Sequence, residues 1–110
     1  MISIFSIPKF NKKYKEYQKK FPHLKIDFKN LLLELKENPK KGILVRSNTY
    51  KIRLKNSDTN KGKSAGYRFI YYYLDENSKI IFLYMFYKGD ISNLSDEYID
   101  MLIKESKNYL

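Results

Sequence analysis

The 110-residue chain contains no cysteine and no tryptophan, a single histidine, His23, and only four glycines and three prolines. Without cysteine there is no disulfide framework, no thiolate metal site and no cysteine nucleophile. With one histidine, metal sites built on histidine pairs and Ser-His-Asp triads have little to work with. No metal or other cofactor is therefore expected. The longest apolar run, Ile80 to Tyr87, spans eight residues, too few to cross a bilayer as a helix. The N-terminus, MISIFSIPKFNKK, places its apolar residues before its charges and is too short for a signal peptide. A cytoplasmic protein with no membrane partner, folded as one domain over residues 1–110, is the expectation. Acidic residues are also scarce, 12 against 22 Lys and Arg, for a formal charge of +10.

That charge is concentrated. Between residues 40 and 68, Lys40, Lys41, Arg46, Lys51, Arg53, Lys55, Lys61, Lys63 and Arg68 face only Asp58, a local charge of +8. Such a cluster repels itself, and a polyanion that neutralises it is the natural partner. The competing explanation is an ordinary solvated lysine-rich surface.

Periodicity organises the rest. Ile2, Ile4 and Ile7 read as a short strand, with Phe5 covering its other side. Pro8 suits the first position of a helix in which Phe10, Tyr14, Tyr17 and Phe21 form one stripe. Pro22 stops it, and Leu24, Phe28, Leu31, Leu32 and Leu35 form a second stripe ending at Asn38 and Pro39. Gly42 opens a β-rich half. Ile43 to Arg46 reads as a strand, Ser47 and Asn48 as a turn, and TYKIRLK alternates Tyr50, Ile52 and Leu54 with Lys51, Arg53 and Lys55. Three cations thereby share one sheet face. NSDTNKGKSAG, residues 56–66, is a polar loop long for a hairpin, and it carries Lys61 and Lys63. Tyr67 to Leu74 and Ile80 to Tyr87 read as two buried strands joined by the turn DENS. Ser95 caps a last helix whose buried face is predicted at Tyr98, Met101 and Leu102, with Ile99 and Ile103 at its margins.

The basic strand YKIRLK, the loop KGKSAGYR and the aromatic strand IYYY, entered through two lysine-rich helices and the turn LKENPKKG, resemble the RelE/ParE superfamily of type II toxin–antitoxin toxins. The resemblance covers nearly the whole chain and is strongest to the RelE and HigB-like branch. It implies an α+β fold, a small antiparallel sheet of about four strands with two N-terminal helices and a C-terminal helix. It also implies a ribosome-dependent endoribonuclease that cleaves messenger RNA, with a cognate antitoxin, the ribosome and mRNA as partners. Matched to the family's cleavage residues, the catalytic set is Lys51, Arg53, Arg68, Lys88 and Tyr98. Arg46, Lys55, Lys61, Lys63 and Tyr87 are expected to contact RNA. A ParE-like topoisomerase poison and a non-catalytic basic nucleic-acid-binding module are the alternatives.

The implied chemistry can run without histidine. Attack by the 2′-hydroxyl needs a proton acceptor, charge stabilisation at the phosphorus and an acid for the departing 5′-oxygen. Cationic neighbours disfavour the charged form of a lysine placed among them, the condition under which Lys51 accepts a proton. Arg53 and Arg68 can hold phosphate oxygens in a fork and bind the extra negative charge of the transition state. Lys88 and Tyr98 are both open as the acid, and Tyr87 can stack on a splayed base. Each assignment has a plain structural counterpart: a solvated strand face for Lys51, Arg53 and Lys55, a carboxylate partner such as Asp90 or Glu97 for Arg68, and packing for the tyrosines.

Overall fold

Pro8 takes the first helical position, where its fixed φ fits and its missing N–H costs nothing, and opens α1 (Pro8–Lys20) directly after the short strand β1 (Ser3–Ser6). Phe21, which precedes Pro22, is extended (φ −127°, ψ 91°), so the helix ends where the proline forces it to. The computed structural model describes residues 2–59, 62, 65–88 and 93–109. After α1 come α2 (Leu24–Glu37), β2 (Ile43–Arg46), β3 (Thr49–Leu54), β4 (Tyr67–Leu74), β5 (Lys79–Tyr87) and α3 (Asp96–Ser106), closed by a 3-10 turn at Lys107–Tyr109.

Among the described residues the strands form one five-stranded sheet in the order β1-β5-β4-β3-β2. The four later strands pair antiparallel, as expected of a meander. The sheet has five strands where about four are expected, and it is mixed, because β1 pairs parallel with β5 (Ser3 opposite Lys79, Ser6 opposite Phe82). Asn48 (φ 56°) and Ser78 (φ 50°) supply the left-handed conformations of the two hairpin turns.

One sheet face is covered by the helix pair. Phe10 and Phe28 pack on Phe82 with ring centroids 5.2 Å apart in each case, and Phe28 stacks on Phe69 at 5.5 Å. Leu24, Leu31 and Leu35 are buried along the same seam, as their stripe predicts. Tyr71, also fully buried, donates its hydroxyl to the Pro39 carbonyl (2.8 Å) and accepts the Gly42 N–H (3.1 Å), which fastens the α2–β2 turn to the sheet.

The opposite face carries α3. Ser95 caps it, its hydroxyl accepting the Tyr98 N–H at 3.2 Å, with Asp96 and Glu97 in the first turn where the helix dipole favours acids. Its buried side is rotated from the predicted one. Ile99, Leu102 and Ser106 face inward, Tyr98 and Ile103 sit at the margins, and Met101 is 39% exposed. Phe5 likewise is 49% exposed rather than covering β1.

Candidate nucleic-acid interface

Antiparallel pairing puts facing residues on the same side of a sheet. Arg53 lies opposite Arg68, and Lys51 opposite Ile70. By alternation Lys51, Arg53 and Arg68 therefore share one face, the one turned away from α1 and α2, while Tyr50, Ile52 and Leu54 go to the helices. Gly66 makes this register possible. A Cβ at residue 66 would lie 2.2 Å from the Leu54 carbonyl oxygen, so only glycine lets the start of β4 approach the end of β3 this closely. The ladder runs one residue past β5, with the Lys88 N–H donating to the Gly66 carbonyl (3.1 Å). Alternation then sets Lys88 on the side of Phe86, whose cross-strand partner is Arg68.

The three strand cations are held differently. Arg68 is only 4% exposed, and its Nη1 donates to the carbonyls of Tyr67 (3.2 Å) and Gly66 (3.4 Å). Its guanidinium is held below the ordinary arginine value, first by burial and then by the charge of Arg53. Arg53 is exposed and makes no ion pair or side-chain hydrogen bond among the described residues. Lys51 is half-buried, and its ammonium donates to Asn93 Oδ1 at 3.4 Å. Asn93, just before α3, is a contact that no pattern in the sequence singles out.

Lys51 and Arg53 also border an open cavity of about 180 Å³ at the end of β2, beside Gly42 and Ile43. A larger cavity, about 350 Å³, lies far from these cations between β1 and the helix pair, lined mainly by Ile4, Phe5, Phe10 and Phe28. Size does not decide between them here, because a polymeric anion needs cationic side chains, which line the smaller cavity and are absent from the lining of the larger.

The remaining predicted residues fall into separate places. Lys55 is exposed, without an ion pair among the described residues, one residue past the end of β3 rather than on the strand as expected. Arg46 is engaged with α3, its Nε donating to Asp100 (2.8 Å) and its Nη2 lying 3.5 Å from Asp96. Tyr87 faces the helices, within a cluster with Phe21 (5.2 Å), Tyr67 (5.5 Å) and Tyr17 (6.4 Å), and so does not share the cationic face. Tyr98 packs edge-on against Tyr84 at 5.4 Å with the Lys9 ammonium 5.7 Å from its ring. None of its hydrogen bonds or ring contacts among the described residues reaches Lys51, Arg53 or Arg68. Lys61, Lys63 and Asp90 lie outside the described residues.

Asp58, the one acid of the basic stretch, is spent elsewhere. Its carboxylate accepts the His23 N–H (2.9 Å) and meets His23 Nδ1 at 2.5 Å. That pairing raises the His23 pKa and lowers that of Asp58, in both cases chiefly through their side-chain hydrogen bond. Next to it, Asp27 accepts from the N–H and hydroxyl of Ser57, both at 3.0 Å. The start of the 56–66 loop is thus pinned to the helix pair, with Asp58 turned to His23. Among the described residues no group of three or more His, Cys, Asp or Glu side chains is placed to hold a metal ion, and no helix is long and apolar enough to cross a membrane.

A helix pair on one face of a small sheet, a C-terminal helix on the other and cations on the central strands together define a RelE-like toxin fold. The chain is similar to a doubly substituted variant of the E. coli toxin RelE in the free state, with a TM-score of 0.62 and 18% identity over 94% of this chain and 96% of that one. It is similar also to the isolated E. coli RelE toxin, with a TM-score of 0.60 and 20% identity over 94% of this chain and 98% of that one. At these identities the likeness is one of fold. No protein-family model and no curated protein sequence matches the chain.

Proposed function

We propose that this protein is the toxin of a type II toxin–antitoxin system, an endoribonuclease that cleaves messenger RNA on the ribosome in the cytoplasm. The observation that carries this reading is that Lys51, Arg53 and Arg68 share one sheet face, with the two arginines directly opposed. Arg53 and Arg68 bind the non-bridging oxygens of the scissile phosphate, and they bind harder as negative charge builds up at phosphorus. Lys51, held by Asn93, is assigned the 2′-hydroxyl proton, a role that requires its uncharged form. The hydroxyl oxygen then attacks the phosphorus, and the bond to the 5′-oxygen breaks with a 2′,3′-cyclic phosphate as product. Lys88, beside Arg68 at the end of β5, is better placed than Tyr98 to protonate the leaving oxygen, since Tyr98 is packed against Tyr84.

Lys55 extends the cationic row and takes the neighbouring phosphate. Arg46 becomes available to RNA only if its ion pairs with Asp96 and Asp100 open. A cognate antitoxin that carries acidic residues silences the toxin by covering this face.

Expression in a growing bacterium tests the proposal. Translation arrest with transcripts cut inside coding regions is the expected result. A DNA-damage response without cut transcripts would instead point to a topoisomerase poison, and no effect on growth to a non-catalytic binder.

A further inference from the structure

A second cationic surface lies outside the strand face. α1 carries six lysines, Lys9, Lys12, Lys13, Lys15, Lys19 and Lys20, against the single acid Glu16. At 3.6 residues per turn all six fall within an arc of about 160° on the side away from Phe10, Tyr14 and Tyr17. The flank with Asn11 and Gln18 has no charge. Glu16 is engaged by Lys13 at 3.2 Å, and Lys9 reaches Glu105 at 3.6 Å. Lys12, Lys15, Lys19 and Lys20 are exposed and form no ion pair among the described residues.

The arc runs into a cleft of about 320 Å³ where Lys9, Lys12 and Lys13 meet Tyr84 and Tyr98. The Lys13 ammonium stands 6.0 Å from the Tyr84 ring and 5.0 Å from the Tyr17 ring. Tyr84 pairs with Ile70, and Ile70 with Lys51, so one cross-strand row joins this cleft to the strand cations. Two strand spacings, about 10 Å, separate the ends of that row.

We propose that the lysine arc of α1 is a second binding site, which grips the phosphate backbone of a double-helical RNA. The cations recur once per turn on a rigid helix, a spacing of about 5.4 Å that suits successive charges along a regular backbone. Lysine acts as a point charge and reads no base. A protein partner needs buried apolar or aromatic anchors, and the exposed large apolar side chains lie on β1, α2, β2 and the C-terminal elements, none on this arc. A single strand needs open stacking platforms, whereas Tyr84 and Tyr98 pack on each other. A lipid surface needs an apolar helix face to insert, and that face of α1 is buried in the core. This inference does not depend on cleavage by the strand face.

The test substitutes Lys12, Lys15, Lys19 and Lys20 together by glutamine, which keeps helix propensity. Affinity for a blunt RNA duplex is measured across a salt titration, beside a uridine-only single strand and vesicles of phosphatidylcholine with phosphatidylserine. The slope of log affinity against log salt should fall by about 2–4, and duplex affinity at about 0.1 M salt should drop at least about tenfold. The Lys51→Ala, Arg53→Ala double variant should retain the share of the slope owed to α1. Three results would overturn the proposal: an unchanged slope and affinity in the glutamine variant, a single strand or vesicle bound as tightly as the duplex with the same loss, or abolition of duplex binding by the strand variant alone. Matching far-UV circular dichroism of the variants makes any loss a surface effect.

Discussion

Arg53 and Arg68 are cross-strand partners of like charge, so removing the exposed one should stabilise the free protein. Arg53→Gln keeps much of the length of the side chain and removes its charge. At the separation of about 5 Å typical of facing cross-strand residues, two unit charges repel by about 0.8 kcal/mol at the dielectric of water and by about 3.3 kcal/mol at an effective dielectric near 20. Because Arg53 is exposed while Arg68 is buried, the lower part of that range applies, about 0.5–1 kcal/mol. For a domain of this size that is a rise in Tm of about 2–6 °C. Thermal unfolding at low salt should show it, and the gain should shrink at high salt, where screening acts within a few Å. The same substitution should weaken RNA binding, because a site that concentrates charge for a ligand does so against its own stability. A lower Tm for the variant, or a gain that persists undiminished in high salt, would mean that the two guanidinium groups do not face each other.

Tyr71→Phe removes the hydroxyl that joins Pro39 and Gly42 and should cost about 1–3 kcal/mol in urea unfolding; a cost under about 0.5 kcal/mol would contradict the clamp. Gly66→Ala forces a Cβ against the Leu54 carbonyl and should cost about 1–3 kcal/mol or more, with loss of RNA cleavage as Arg68 shifts; an unaltered Tm would contradict the close approach. The His23–Asp58 pair makes stability depend on pH with a definite sign. The raised His23 value means that its contribution is complete below the ordinary 6.5 and is lost as pH rises through the folded value. The lowered Asp58 value means that its contribution is complete above the ordinary 3.8 and is lost as pH falls through the folded value. The Tm of the wild type should therefore decline relative to His23→Gln between pH 6 and 8, and a difference that is constant across that range would rule the pair out.

Elements set by local spacing are legible in the order of residues alone. The Phe10, Tyr14, Tyr17, Phe21 stripe and the Lys51, Arg53 alternation each follow from a period that the chain itself displays, and both occur as expected, although β3 ends at Leu54 and leaves Lys55 just beyond it. What depends on distant partners is not legible in this way. The parallel pairing of β1 with β5 joins residues more than seventy positions apart. Arg46 meets Asp100 across fifty-four positions, and nothing near Arg46 in the chain announces a carboxylate. Tyr87 lands on the helix side because of the register between β4 and β5, a ladder that shifts between Ile70 and Tyr71. A shift of one residue exchanges the faces of a strand. In α3, Tyr98, Ile99, Met101, Leu102 and Ile103 spread apolar character over much of the helix, so its rotation is decided by packing against the sheet rather than by its own pattern. Asn93 meets Lys51 across forty-two positions of the chain.

The measurement closest to the central claim is single-turnover cleavage of a ribosome-bound messenger by the wild type, Arg53→Gln, Arg68→Lys and the double variant. If both arginines grip one phosphate, each single change should slow cleavage by about 100-fold or more, and the double change should slow it by much less than the product of the two. Cleavage near the wild-type rate in either single variant, or two losses that simply multiply, would contradict a shared phosphate on this face.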